Sequence, residues 1–214
     1  VTKDDALANI MIVSAKGATS VPFKYIITRG KDSLDILEYN SGTSTIIGHA
    51  NSDSAITVGA VRYFTGVADP LIEDFSSLGG TPVKIASGQT VIRPKPDFAA
   101  PNGGNNTLLG IDASTDLDAY PNFFGTSASA PHAAAAAALL LQARYKFYKP
   151  QGSSISQDDF LAANYKPWQL RALLKDSALP VNTTILGQTT TAAGSGAIRV
   201  GNAIKSFGNA KPII

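Results

Sequence analysis

The stretch GTSASAPHAAAAAALL, Gly125–Leu140, sets a cluster of serines, a proline and a histidine directly before a run of alanines. The pattern predicts a helix from Ser127 to about Lys149, where Pro150 stops it. Pro131 falls in the first turn, where its missing N–H costs little. Small alanine side chains let such a helix lie close beneath a sheet, so the stretch predicts a rigid, buried helix that follows a loop.

Ser127, at the change from loop to helix, has two interpretations. A helix N-terminus presents unpaired N–H groups and the positive end of the helix dipole, and both would stabilise an oxyanion formed beside a hydroxyl placed there. On this interpretation Ser127 is a nucleophile. Serine is also a preferred N-cap residue, so a purely structural cap explains the stretch equally well when it is taken alone.

The composition is that of a globular protein. The chain has 214 residues, of which 44% are hydrophobic and 16% charged, and its formal net charge is +2. The basic residues are scattered rather than clustered with aromatic residues, which argues against a nucleic-acid-binding protein. No apolar run is long enough to cross a bilayer, and the absence of cysteine excludes disulfides and thiolate metal sites.

The first third of the chain is punctuated by turn residues. The segments Asn9–Ala15, Pro22–Gly30 and Ser33–Gly42 alternate or run apolar, which predicts an antiparallel sheet or a small sandwich. Ala55–Phe64 is an almost continuous apolar run, which is typical of a strand buried on both faces.

The segments that follow predict a hairpin, a strand, a long loop and further helices. A hairpin is expected around Ser87–Gly88, and KPDFAAP, Lys95–Pro101, is a short strand. The loop Asn102–Asn122 is rich in Gly, Asn and Asp, and long structured loops tend to be functional. After the serine stretch, two further helices are expected, one capped by Ser156 and one with Pro167 near its start, and a short helix lies near the end.

Several segments, in this order, resemble the subtilisin-like serine peptidases, or subtilases. The matching pieces are AITVGAV, DFSSLGG (Asp74–Gly80), KPDFAAP, GTSASAPHAAAAAALL, LRALLKDSA and GSGAIRVGNAI. The resemblance implies a three-layer α/β fold, in which a mostly parallel sheet has helices on both faces. It runs from His49 to the end, so residues 49–214 would be the C-terminal part of a peptidase domain. Residues 1–48 would be the β-rich tail of an insertion, as in one bacterial subgroup.

The resemblance also implies a function. Ser127 would be the nucleophile of a serine endopeptidase that forms an acyl-enzyme, and Thr126 would position it. Ser129 would be a small packing residue, turned about 200° from Ser127 around the helix axis. A polypeptide would be the substrate, and by resemblance the protein would be secreted by a bacterium.

The partners of the nucleophile are not evident in the sequence. Subtilases order their triad Asp, His, Ser, and neither an Asp nor a His motif of the family occurs here. Of the two histidines, His49 matches a non-catalytic position, and the spacing of His132 from Ser127 is not a facing one on a helix. The oxyanion-hole Asn is also missing, because VSAKGATS has Lys16 in its place.

Two explanations of the missing partners stay open. The chain is either the C-terminal part of a longer peptidase, inactive alone until the N-terminal part supplies Asp and His, or a pseudo-peptidase that serves as a binding scaffold. The acid-acting sedolisins share a similar serine stretch, but they carry a Gly before it, where this chain has Phe124, and a C-terminal Ca²⁺ site. No acidic residue follows Asp176 here, which disfavours sedolisins.

Asp112, Asp116 and Asp118 form an acidic cluster in the loop before Ser127. Carboxylate oxygens can hold Ca²⁺, although the spacing is not that of an EF-hand. A solvated acidic loop is the alternative.

Overall fold

The computed structural model describes residues 8–19, 23–27, 36–39, 43–64, 69–114, 116, 118–183 and 190–208. The chain divides into two compact units, residues 1–40 and 41–214. In the first unit the described residues contain a turn at 16–17 and a bend at 38–39, but no strand. The apolar side chains of its 10–13 segment are exposed, by 87% for Ile10 and 83% for Met11. The described residues therefore do not show the predicted β-rich segment, since alternation makes a strand only where another strand pairs with it. Parts of the predicted segments Pro22–Gly30 and Ser33–Gly42 lie outside the described residues.

The centre of the second unit is a parallel pair of strands, β1 (Val58–Arg62) and β4 (Phe98–Asn102), in register from Val58 opposite Phe98 to Arg62 opposite Asn102. Single bridges continue this sheet on both sides, from Val61 to Ile72 and from Ala99 to Ala197. The middle of β1 is buried, as its apolar run predicts. A parallel pair joined by a long connection makes the unit an α/β structure.

A separate hairpin joins β2 (Pro82–Lys84) to β3 (Thr90–Ile92) in antiparallel pairing. Its turn closes where Ile85 N–H donates to Gln89 O and Gly88 N–H donates to Ile85 O, each at 2.9 Å. Gly88 has φ 84°, a left-handed conformation that glycine adopts at little cost. The hairpin predicted around Ser87–Gly88 is confirmed.

Among the described residues of the second unit, the α-helices are α1 (Thr126–Tyr148), α2 (Gln157–Asn164), α3 (Pro167–Asp176) and α4 (Val200–Gly208). The predicted starts are confirmed: Ser156 Oγ accepts from Asp159 N–H at 3.1 Å, and Pro167 opens α3. The end of α1 at Tyr148 agrees with the stop at Pro150. Among the described residues, no helix combines the length and apolarity needed to span a membrane.

Alternate residues of β4 face two different cores. Phe98 and Ala100 pack with Leu140 of α1, Leu174 of α3 and Ala203 of α4 in one cluster. Ala99, between them, packs in a second cluster formed by Val61, Ile72, Ala192, Ala193 and Ala197. This is the period-two alternation of a strand covered on both faces. The prediction of a buried helix holds for one face of α1 alone, formed by Ala128, Ser129, Ala133, Ala136 and Leu140, and the rest of the helix is half-buried or exposed.

A buried ion network ties β4 to its surroundings. The carboxylate of Asp97, which is fully buried, accepts from Lys95 Nζ at 2.9 Å and from Arg171 Nε of α3 at 2.5 Å. It also accepts from the backbone N–H of Thr57, directly before β1, at 2.8 Å. The acidic residue of the KPD segment therefore links both parallel strands to a helix.

Candidate active site

Ser127 lies in the first turn of α1, as the sequence predicts, and its side chain is exposed. The N-cap is Gly125, whose φ of 115° lies in the region that glycine adopts most readily. Gly125 O accepts from Ala128 N–H at 2.9 Å and from Ser129 N–H at 3.3 Å. As the second residue of the helix, Ser127 has no intrahelical acceptor for its own N–H. Within the described part of the chain, the junction therefore combines an exposed hydroxyl with an amide that has no acceptor, at the positive end of a long helix.

The neighbouring Ser129 has the opposite environment. It is 0% exposed, and its Oγ has no hydrogen-bond partner among the residues the structure describes. The two hydroxyls point in different directions because about 200° of helix rotation separates them. Only the hydroxyl of Ser127 is open to a molecule in solution.

Thr126, the first residue of α1, lines a cavity of about 170 Å³. Apolar side chains supply most of its wall, with Ile46, Ile47, Val58 and Pro96 among them. The cavity lies beside the residue that precedes the exposed serine, so the helix start borders an apolar recess as well as solvent.

Neither histidine bonds to the Ser127 hydroxyl. The Nδ1 atom of His132 lies 2.9 Å from Ala128 O, one turn earlier on the same helix. Because a carbonyl oxygen only accepts, this contact places the proton on Nδ1. His49 lies in the short 3₁₀ helix Gly48–Asn51 and is exposed. In the described part of the chain, no side chain acts as a base toward Ser127.

Asn102, the last residue of β4, belongs to the site although the sequence patterns did not point to it. Its side chain is fully buried, and its Oδ1 accepts from Gly125 N–H at 3.1 Å. Its Nδ2 donates to Val61 O at 2.9 Å and to Glu73 Oε1 at 3.0 Å. In the sequence, Asn102 stands at the end of an apolar strand and before two glycines. That pattern predicts a loop, but it does not predict that the side chain bonds to Gly125.

Asn122 organises the loop between β4 and α1. This buried side chain donates from Nδ2 to Gly103 O and Asp116 Oδ2, each at 2.9 Å, and accepts at Oδ1 from Ala113 N–H at 2.7 Å. Asp116 Oδ2 also accepts from the Tyr63 hydroxyl at 2.8 Å. Hydrogen bonds from Asn122 and Tyr63 lower the pKa of Asp116 below its ordinary value.

The structure brings the three predicted aspartates together. One carboxylate oxygen from each of Asp112, Asp116 and Asp118 lies within 4.8 Å of the others, and the group could hold a metal ion. Hard cations take such oxygen ligands. The Oδ1 atom of Asp116 is buried without a hydrogen-bond partner among the described residues, which fits a ligand atom.

Comparison with family models identifies the family of this chain. The family model Peptidase_S8, described as the subtilase family, matches residues 4–201. No curated protein matches the chain.

Proposed function

Because the chain belongs to the subtilase family, a family of serine peptidases, we propose that Ser127 is the nucleophile of an endopeptidase and that Thr126 positions it. The observation that carries the proposal is the exposed Ser127 side chain in the first turn of α1. Attack by its Oγ on a peptide carbonyl would form an acyl-enzyme and release the amine, and water would then release the acid.

The start of α1 supports stabilisation of the charge that develops in this reaction. The tetrahedral intermediate carries a negative oxygen, and donors fixed before the reaction stabilise it most effectively. The N–H of Ser127 has no intrahelical acceptor, and no side chain caps α1 at Gly125. The dipole of the helix adds positive potential at the same place.

We assign the base and its orienting acid to another part of the protein. A serine hydroxyl stays protonated and weakly nucleophilic without a base, and among the described residues neither His49 nor His132 bonds to Ser127. Residues 49–214 are then the C-terminal part of a three-layer peptidase domain, and residues 1–48 belong to an insertion. An N-terminal part would supply Asp and His, and secretion follows from the resemblance alone.

Labelling with a fluorophosphonate tests the proposal. The complete gene product that carries these residues is treated with the reagent, and the modified peptide is mapped. We expect one label, on Ser127, which Ser127→Ala abolishes and Ser129→Ala leaves in place. A label that survives in Ser127→Ala would refute the assignment. A folded product that takes no label would favour a pseudo-peptidase that uses the scaffold for binding.

The acidic cluster carries a finer proposal, that Asp112, Asp116 and Asp118 bind Ca²⁺. Their oxygens are close enough to share one cation, and Ca²⁺ prefers carboxylate ligands. Thermal unfolding with added Ca²⁺, compared with Mg²⁺ and with Asp118→Asn, tests it. A midpoint that Ca²⁺ raises only in the unmodified protein supports a site, and an unchanged midpoint identifies a solvated acidic loop.

A further inference from the structure

We propose that Asn102 is a positioning residue that holds the turn from which Ser127 is presented. This role rests on the proposed function of Ser127 and adds a residue outside the serine stretch. Asn102 ends β4, whereas Gly125 is the N-cap of α1. The hydrogen bond from Gly125 N–H to Asn102 Oδ1, 3.1 Å long, joins the strand directly to the turn before the nucleophile.

The side chain of Asn102 is held in one orientation. Its Nδ2 donates to two acceptors, Val61 O of β1 at 2.9 Å and Glu73 Oε1 at 3.0 Å. If the amide were flipped, its NH₂ group would face Gly125 N–H and its oxygen would face two acceptors. The partners therefore fix which end of the amide points to the turn. Because the side chain is fully buried, water cannot replace a lost bond.

A second layer holds Glu73 in place. Glu73 is 6% exposed, its Oε2 accepts from Arg62 Nε at 3.2 Å, and its backbone N–H donates to Ala60 O at 2.9 Å. The carboxylate is thus fixed to β1 by its backbone and its side chain. A continuous chain of bonds runs from Arg62 through Glu73 and Asn102 to Gly125.

The turn at Gly125 needs an external acceptor. Its N–H precedes α1 and has no carbonyl within the helix, and its φ of 115° is one that only glycine adopts at little cost. The preceding segment pairs with the residues after Asn102, since Gly103 N–H donates to Phe123 O at 2.9 Å and Phe123 N–H donates to Gly104 O at 3.2 Å. The Asn102 side chain extends this pairing by one further bond, at the residue that sets the direction of Ser127.

Hydrogen exchange tests the positioning on this chain without any activity. In Asn102→Ala, the Gly125 amide should exchange about tenfold faster, since it loses a buried acceptor. The matched control is Asn106→Ala, which removes an asparagine of the same loop whose Nδ2 donates to Leu109 O and Pro121 O and not to Gly125. Amides in the middle of α3 report global unfolding. Equal exchange of Gly125 in both variants would overturn the proposal.

Asn102→Asp is the conservative variant. It keeps an oxygen for Gly125 N–H but sets a second oxygen against Glu73 Oε1, so the contact requires a proton shared between the two carboxyl groups. In this variant we expect the Gly125 amide to be protected from exchange at low pH and to lose that protection as the pH rises. In the unmodified chain we expect the protection of this amide not to change with pH in this way. Protection in Asn102→Asp that does not respond to pH would contradict the bonding scheme.

Acylation by a fluorophosphonate measures the functional consequence in the complete gene product. Asn102→Ala should lower the maximal acylation rate by about 10- to 100-fold with little change in the half-saturating reagent concentration, because a displaced nucleophile loses alignment rather than binding. An unchanged maximal rate would overturn the role of Asn102. If the unmodified protein takes no label, the proposed nucleophile fails, and exchange at Gly125 still decides whether Asn102 holds the turn.

Discussion

Ser127 and Ser129 show how strongly a rotation of about 200° around a helix separates chemically identical side chains. Ser127 is exposed, whereas Ser129 is 0% exposed and its Oγ lacks a partner among the described residues. A buried hydroxyl without a hydrogen bond is a cost to the folded state. The fold keeps only one of the two serines available for chemistry.

Replacement of the buried serine should therefore be tolerated. We expect Ser129→Ala to leave the free energy of unfolding unchanged or to raise it by up to about 1 kcal/mol, because no hydrogen bond is lost and a polar group is removed from the core. The control is Ser156→Ala, which removes the cap of α2 and should cost about 1 kcal/mol. Urea unfolding compares the two; a large loss in Ser129→Ala would reveal a partner for this hydroxyl.

The carboxyl group of Asp116, in the loop before α1, should make the free energy of unfolding depend on pH in the acidic range. Its pKa is lowered from 3.8 by hydrogen bonds from Asn122 and Tyr63. Its contribution is fully present above the unfolded pKa and is lost as the pH falls through the lower folded pKa. Carboxyl NMR should show a low Asp116 pKa that rises in Tyr63→Phe. A pKa unaffected by the loss of this hydroxyl would mean that Tyr63 does not act on Asp116.

At the scale of secondary-structure elements, Asp97 joins the segment that leads into β4 to two segments that are distant in sequence. Its partners are Lys95, the Thr57 amide before β1 and Arg171 of α3. Asp97→Ala would remove the counter-ion of the Lys95 ammonium. Lys95 is only 4% exposed, so water could not replace that counter-ion.

We expect this substitution to cost about 3–5 kcal/mol, the usual effect of breaking a buried ion pair on one side. Asp158→Ala, in the exposed first turn of α2, is the control and should change stability by less than about 1 kcal/mol. Denaturant unfolding measures both variants. Similar losses in the two would show that the Asp97 network contributes little.

Most elements of the second unit could be predicted because their signals are local. Ser156 and Pro167 mark helix starts, Gly88 marks a turn, and the apolar run around Val61 marks a buried strand. The partners of Asn102 and Asp97 could not be predicted, since Gly125 and Arg171 lie far along the chain from them. The alternation of Asn9–Ala15 does not determine whether another strand pairs with this segment. The structure shows no strand pairing for residues 9–15.

At the scale of the whole molecule, a nucleophile without a base should give no turnover. We expect the purified chain of 214 residues to hydrolyse no generic peptide substrate at neutral pH. In subtilisin, loss of triad members lowers turnover by about six orders of magnitude. Peptide hydrolysis is measured with Ser127→Ala as the blank. Turnover that disappears in this variant would mean that the chain already contains its base.

Gly125 should resist replacement under either kind of selection. Its φ of 115° strains any side chain, so the serine or asparagine that stabilises an ordinary helix start is not favoured here. A cap oxygen at residue 125 would also compete with an oxyanion for the first amides of α1. Screens for heat resistance and screens for acylation should therefore both retain glycine at this position.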